Sequence, residues 1–358
     1  MLREVDVYAR LSRITVSSAV LISLLAALSI MAPACSRKPP ERTVIVYTSA
    51  DQEYAERIIA EFARHYPRIL VLPRYDDEAT KTTGLIDRLR AERSDPQCDV
   101  LWSNEPFLTE KLAQEGLLKA WDSPAMRDWP EAFRSAGREW YGFSARARVI
   151  AYDPTRITDP PTHWRDLADP RFRSRVVIAD PNFGTTRGHI ASWFSLWGAE
   201  QATQFLSDLK ANDIRVVRSN SQAVRDVVAG LADLALTDTD DVWAAQRNGY
   251  NIELIYPRHG DGPGQGTLLI PNTVSLIAGR PDNPDAVLFA EFLLSESCQM
   301  LLHQTDSHNL PILTPDRSSS VEIEPRYRIP DPLITNVAEV AFSMEEAMKA
   351  VNEILLGR

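Results

Sequence analysis

The sequence predicts an α/β protein made of two lobes, each a mostly parallel sheet flanked by helices. Short β-branched segments alternate with amphipathic helical segments from residue 43 to about residue 116. The same alternation restarts near residue 175, after a turn-rich stretch. Alternating strand and helix segments favour a parallel sheet covered by helices, so two separate runs favour two lobes.

The first run begins at residues 43–49, TVIVYTS, which is short, β-branched and bounded by polar residues, as buried strands are. Asp51 then stands where a helix N-cap belongs, and Ile58 and Phe62 recur at helical spacing. The run continues with the strands RILVLPRY and CDVLWS, the helix TTGLIDRLRAERS, and a helix between Pro106 and Gly116.

The second run supplies another lobe. Its strands are RVVIAD, IRVVR, DLALTD and NIELIYP, and its helices start near Gly188 and at SQAVRDVVAGL and DVWAAQRNG. The segment GTLLIPNTVSLIAG is too apolar for a linker and returns the chain to the first lobe, where two helical regions end it. We therefore place lobe 1 at residues 43–145 and 268–358, and lobe 2 at residues 146–267.

Residues 1–34 resemble an export signal. Arg3, Arg10 and Arg13 precede a long apolar stretch that ends in small residues, which is the order of a secretory signal. An uncleaved membrane anchor is the alternative. The polar residues 35–42 then form a linker to the first lobe.

Cys35 follows the apolar stretch directly and resembles the lipid-modified first residue of a bacterial lipoprotein. Ordinary cleavage after the A-x-A pattern of residues 32–34 is the alternative. We favour the lipid, which would attach the protein to the membrane.

Charge and cysteine content narrow the function classes. The chain of 358 residues has a net charge of −10, which argues against a nucleic-acid partner. Paired C-x-x-C metal motifs are absent from the sequence, and whether Cys98 and Cys298 meet is left open.

Candidate binding residues follow from one topological rule. Ligands of open parallel α/β sheets bind outside the carboxyl ends of the strands. In the first lobe the rule selects residues 48, 49 and 51, 76–80 and 103–105, among them the candidates Ser49, Asp51, Asn104 and Glu105. In the second lobe it selects residues 181–189, 219–222 and the aspartates after DLAL, among them the candidates Thr185, Thr186, Arg187, Asp238, Asp240 and Asp241.

The three aspartates have two interpretations. Crowded carboxylates repel one another, so a cation is one explanation for Asp238, Asp240 and Asp241. Capping of the following helix, whose dipole favours acids at its start, is the other.

The segment FGTTRGH at residues 183–189 has the opposite character. Helix N–H groups together with Thr185, Thr186 and Arg187 indicate an anion site. Threonine capping, and an ion pair between Arg187 and Asp180, are the alternatives.

Six stretches resemble the extracellular solute-binding proteins of bacterial ferric-iron ABC importers: VYTSADQEYAERIIAEF, YDDEATKTTGLIDRLRAE, DVLWSNEP, GFSARARVIAYDP, TDTDDVWAA and GTLLIPNTVSLIAG. They run in the expected order from about residue 43 to residue 305. The resemblance implies the two-lobed fold of periplasmic binding proteins, with crossing hinge strands and a ligand enclosed between the lobes.

The resemblance also implies site residues. It places Asn104 and Glu105 in the cleft and Arg146 near the crossing strands. Ferric-binding members carry two adjacent tyrosines after the strand that corresponds to LADLAL, and Asp240 and Asp241 stand at those positions here. Carboxylates bind hard cations, so we expect Fe3+ or another metal there, with a carbonate-like anion near Arg187.

The expected function is capture of this small cationic ligand and its delivery to an ABC permease in the inner membrane. We expect a periplasmic, monomeric receptor that is not an enzyme. The alternatives are a thiamine- or polyamine-binding protein of the same architecture, a hydrolase that holds a metal with the three aspartates, and a sensor partner that has lost its ligand. A hydrolase would also need a positioned base or nucleophile, which the sequence does not indicate.

Overall fold

The structure is a computed structural model that describes residues 42–76, 82–312 and 323–358. The predicted export signal and Cys35 lie outside these residues. Within them, no helix combines the length and the apolar character needed to cross a membrane. Cys98 and Cys298 are buried free thiols.

The described ranges contain a sheet of ten strands. The strands are β1 (Arg42–Thr48), β2 (Ile69–Tyr75), β3 (Val100–Ser103), β4 (Leu118–Lys119), β5 (Trp140–Tyr152), β6 (Val176–Ala179), β7 (Arg215–Val217), β8 (Leu234–Asp238), β9 (Glu253–Ile255) and β10 (Leu269–Ile277). Eight of them pair along the path β2-β1-β3-β10-β5-β8-β6-β7, while β4 pairs with β10 and β9 pairs with β5.

Two parallel groups of strands are joined by two antiparallel strands. The first group is β1 with β2 and β3, and the second is β6 with β7 and β8. The long strand β5 pairs with β10 up to Ala147 and with β8 from Arg148 onwards. Because β5 leaves one group and enters the other, the predicted two-lobed α/β fold with crossing strands is confirmed.

Helices cover both groups. The α-helices of the described residues are α1 (Gln52–His65), α2 (Thr83–Ala91), α3 (Phe107–Gln114), α4 (Gly184–Trp197), α5 (Ala199–Ala211), α6 (Asn220–Val228), α7 (Thr239–Arg247), α8 (Pro284–Leu294), α9 (Glu296–His303) and α10 (Val337–Ala350). A π-helical segment, Val351–Leu356, extends α10, and short 3-10 turns lie at Pro124–Met126, Glu131–Phe133, Trp164–Ala168, Pro170–Phe172 and Pro325–Tyr327.

The last α-helix, α10, contacts helices that cover both parallel groups. It packs against α3, which follows β3, and against α4, which follows β6. The division into residues 43–145 with 268–358, and residues 146–267, stays a prediction.

The structure differs from the sequence prediction after β6. The pattern places a helix start near Gly188, whereas α4 begins at Gly184, and a separate helix, α5, follows Gly198. Two glycines weaken the helix propensity of this segment, which moved the predicted start too far along the chain. Packing explains the glycine at position 188, because a Cβ atom there would lie 2.1 Å from Cδ2 of Phe107.

Asp51 occupies the N-cap position of α1, as its place in the sequence predicts. Its backbone carbonyl accepts hydrogen bonds from the N–H groups of Tyr54 and Ala55. Its side chain makes no capping hydrogen bond. The carboxylate instead lines the cavity described next.

Candidate ligand-binding site

A cavity opens where the carboxyl ends of the strands of both parallel groups meet. It holds about 570 Å³ of space, including its open side. This edge is where open α/β sheets bind their ligands. Eight of the predicted site residues line it: Asp51, Asn104, Arg146, Thr185, Thr186, Asp238, Asp240 and Asp241.

Asp238, the last residue of β8, is buried and accepts four hydrogen bonds. Its Oδ1 accepts from Nη1 of Arg148 at 2.7 Å. Its Oδ2 accepts from Oγ1 of Thr185 at 2.6 Å, Nδ2 of Asn220 at 3.1 Å and Nε of Arg146 at 3.3 Å. Burial alone would raise the pKa of Asp238, but the guanidinium groups of Arg148 and Arg146 hold it below its ordinary value. Asp238 is therefore a charged carboxylate that the protein itself compensates.

The capping interpretation of the acidic cluster is wrong for Asp238. The residue occupies the N-cap position of α7, yet its side chain makes no capping hydrogen bond. Arg146 and Arg148 lie two residues apart on β5, so they project from the same face of the strand. Both are buried, and they hold the carboxylate away from the helix end.

Asp240 and Asp241, in the first turn of α7, lie where a cation could bind. Together with Asp238 they bring carboxylate oxygens within 4.8 Å of one another. Burial and the neighbouring carboxylates of Asp241 and Asp238 raise the pKa of Asp240 to about 8, although Arg146 opposes this shift. Oδ1 of Asp240 has no hydrogen-bond partner, while 17% of the side chain remains exposed. A cation entering the cavity could therefore reach an oxygen ligand.

Arg146 connects the acidic cluster to the crossing strands. Its Nε lies 3.3 Å from Oδ2 of Asp238 and 3.8 Å from Oδ2 of Asp240. Its Nη1 donates to Oδ1 of Asn272 at 3.0 Å. Asn272 lies at an irregularity in the pairing of β10 with β5, and its Nδ2 donates to Oγ of Ser144 at 2.7 Å. Buried side chains thus join the cluster to the point where the chain passes between the two groups.

The amino-terminal ends of α4 and α6 face the same cavity. Thr185 and Thr186 line it from the first turn of α4, and Asn220 lines it from the start of α6. Backbone N–H groups at such helix ends attract anions. Threonine capping does not occur here, because the N-cap of α4 is Phe183 and the threonine hydroxyls donate to Asp238 and Asn220.

Ser49 and Glu105 are absent from the described residues that line the cavity. Oγ of Ser49 accepts from the N–H of Asn104 at 2.9 Å. The carboxylate of Glu105 accepts from the N–H groups of Phe107 and Leu108 at 2.9 and 3.1 Å. Both side chains therefore support the chain at the cavity edge instead of lining it, in contrast to the predicted contacts.

Arg187 is also absent from the described residues of the cavity lining. Its Nη1 donates to the carbonyl of Asn182 at 3.5 Å. Both Arg187 and Asp180 are described, and no ion pair joins them, so the pairing alternative is wrong. Burial lowers the pKa of Arg187, although the charge of Glu105 opposes this shift. The arginine that does line the cavity beside the helix ends is Arg218, directly after β7.

Several residues of the site were missed from the sequence. Arg148 was recoverable, because its spacing from Arg146 places both on one face of a strand. The pattern assigns Arg218 to the end of a strand. Asn220 lies in the selected segment 219–222 but is not singled out there, and the side-chain contacts of Asn220 and Asn272 depend on tertiary packing that no local pattern indicates.

Residues 95–332 match the sequence model of a family described as bacterial extracellular solute-binding protein. Iron uptake protein A1 of Synechocystis sp. PCC 6803 is 27% identical over 244 residues, which are 65% of this chain and 67% of that protein. A putative 2-aminoethylphosphonate-binding periplasmic protein of Salmonella typhi is 24% identical over 240 residues, which are 62% of this chain and 68% of that protein.

A solved structure supports the fold independently. Iron-bound HitA from Pseudomonas aeruginosa matches with a TM-score of 0.76 and 23% identity, over 87% of this chain and 99% of that one. At this level of identity the likeness shows the two-lobed fold and leaves the ligand to be argued from the site.

Replacing Asp238 by Asn should lower the free energy of unfolding by about 3–5 kcal/mol, because two buried arginines lose their counter-charge. Urea denaturation at pH 7 measures this change. Asp240→Asn is the matched control, since it replaces a carboxyl group that is mostly protonated at that pH and should change stability by less than about 1 kcal/mol. Equal losses in the two variants would contradict the assignment of Asp238 as the compensated carboxylate.

Glu105 should make stability depend on pH. Burial raises its pKa to about 7, offset in part by hydrogen bonds from Leu108 and Phe107, whereas an unfolded chain releases the proton near pH 4.3. The folded state thus binds more protons between these values, and its stability falls as pH rises through them. Between pH 5 and pH 8, wild type should lose about 2 kcal/mol more than Glu105→Gln in urea unfolding. Parallel pH profiles for the two proteins would contradict this prediction.

Proposed function

The chain belongs to the family of bacterial extracellular solute-binding proteins, and from this membership we propose that it captures a hard metal cation, with ferric iron as the first candidate. It is a transport component and not an enzyme. Family members bind a small ligand and present it to the permease of an ABC importer.

One observation supports a cation more than any other. Asp238 is compensated by Arg146 and Arg148, yet Asp240 and Asp241 add two further carboxylates at the same wall of the cavity. The raised pKa of Asp240 reflects its burial first, and then an excess of negative charge from the nearby carboxylates of Asp241 and Asp238. A metal ion that replaces the proton of Asp240 would relieve this excess, and oxygen ligands suit hard cations.

We place the accompanying carbonate-like anion at the starts of α4 and α6. Thr185, Thr186 and Asn220 line this part of the cavity, and Arg218 supplies positive charge there. This position replaces the one predicted at Arg187. An anion between the helix ends and the metal would balance the charge of both.

The alternatives raised by the sequence are not favoured. The family is defined by solute binding, which argues against a metal-dependent hydrolase. The name of iron uptake protein A1 supports a metal more than a thiamine or polyamine ligand. The Salmonella relative makes 2-aminoethylphosphonate a necessary arm of any ligand test.

We also propose that a lipid on Cys35 holds the mature protein at the outer face of the inner membrane. The support is the signal-like sequence before this residue. Mass spectrometry of the mature protein, expressed in a bacterium with its own signal, should find a diacylglyceryl group on an amino-terminal Cys35. An unmodified Cys35, or a different first residue, would contradict this proposal.

The metal assignment is tested by ligand-dependent stabilisation. The chelator-treated protein should melt at a higher temperature with ferric iron and bicarbonate, because a ligand at a hundred times its Kd adds about 2.7 kcal/mol. Thiamine, spermidine and 2-aminoethylphosphonate should have no comparable effect. Elemental analysis should find one iron per chain.

Variants locate the metal. Asp240→Asn combined with Asp241→Asn should weaken iron binding by at least about a hundredfold, since it removes both proposed carboxylate ligands of the metal. Asp180→Asn is the control, because Asp180 lines the cavity outside the cluster and bonds to Asn182. Undiminished iron affinity in the double variant would contradict the proposed site. A response to one of the organic ligands alone would contradict the metal.

A further inference from the structure

We propose, resting on the function proposed above, that the cation arrives as a chelate whose organic body lies in an apolar groove beside the carboxylates. The solute class would then be a ferric complex of a small anionic chelator with an aromatic or aliphatic part.

The groove continues directly from the cavity. Asp51, Ser221, Asp240 and Asp241 line both spaces. The groove holds about 1200 Å³, including its open side, compared with about 570 Å³ for the cavity. A ligand held by the two aspartates therefore has room to extend past them in one direction.

The remaining walls of the groove are largely apolar. Tyr54 lines it from α1, Val224 and Val228 from α6, Ala244 from α7, and Tyr250 from the loop after α7. A hydrated metal ion or a carbonate makes no use of such walls, whereas organic ligands are bound chiefly by them. Tyr250 remains 52% exposed, so an aromatic ring stands uncovered at the groove.

The groove also carries a positive charge that suits a chelator. Arg225 lines it and is exposed, with Nη2 donating to Oε1 of Gln222 at 3.0 Å. Chelators of ferric iron are anionic, and a guanidinium group pairs well with a carboxylate that is not used on the metal. Asp240 and Asp241 would thus hold the metal, and Arg225 would hold the chelator.

Helices of both parallel groups form the groove. Tyr54 belongs to α1, which packs on β2 of the first group, while α6 and α7 pack on β8 of the second. A chelator body placed there would contact both halves of the molecule. This position fits a solute that is enclosed between two lobes.

The test compares two forms of ferric iron on the full mature chain. The probes are ferric iron in bicarbonate buffer and the one-to-one ferric complex of 2,3-dihydroxybenzoate. Native mass spectrometry should show a ternary complex of protein, iron and dihydroxybenzoate. Val228→Phe, which narrows the groove at a residue outside the cavity lining, should weaken binding of the chelate at least about tenfold and leave binding of iron with bicarbonate within about threefold. Val228→Ala, which widens the groove, is the matched control and should keep both affinities.

The outcomes separate this proposal from the one on which it rests. Iron bound without dihydroxybenzoate, or a Val228→Phe variant that binds both forms as wild type does, would overturn the chelate and leave the metal site standing. Equal weakening of both forms by Val228→Phe would also overturn the chelate, because the substitution would then disturb the metal site and not a separate contact with the chelator. Failure of wild type to bind iron in either form would overturn the metal site and the chelate together.

Discussion

The buried carboxylate of Asp238 is the interaction on which the rest of the site depends. Arg146 and Arg148 are almost wholly buried, and removing such groups from water is unfavourable unless a counter-charge and hydrogen bonds accompany them. Asp238 supplies that counter-charge, and Thr185 and Asn220 complete its hydrogen bonds. Strands β5 and β8 and the starts of α4 and α6 are therefore positioned around one carboxylate.

This arrangement divides the acidic cluster into two parts with different roles. Arg146 and Arg148 compensate the charge of Asp238, whereas Asp240 and Asp241 offer carboxyl oxygen atoms to a solute that enters the cavity. Arg146 belongs to both parts, because it lies near Asp238 and Asp240 and also bonds to Asn272 in β10. Through Arg146, the acidic cluster is thus connected to strands β5 and β10, which join the two parallel groups.

The local sequence pattern predicted the strands and helices well, but it predicted the directions of the side chains less well. The apolar segment at residues 43–49 is β1 at Arg42–Thr48, because short β-branched runs have few other stable conformations. The strand-end rule brought Asp51 and Asn104 to the cavity, but it could not tell that Glu105, one residue further, turns to the N–H groups of α3. Neighbouring residues of a loop point in different directions, and only the packing of the helix that follows decides which one reaches the cavity.

The most direct test of this account is a crystal structure of the iron-loaded protein with anomalous diffraction measured at the iron absorption edge. We expect one anomalous peak within bonding distance of carboxylate oxygens of Asp240 and Asp241, with Asp238 still hydrogen-bonded to Arg146 and Arg148. A peak bonded to Asp238 with the two arginines displaced, or a peak outside this cavity, would contradict it.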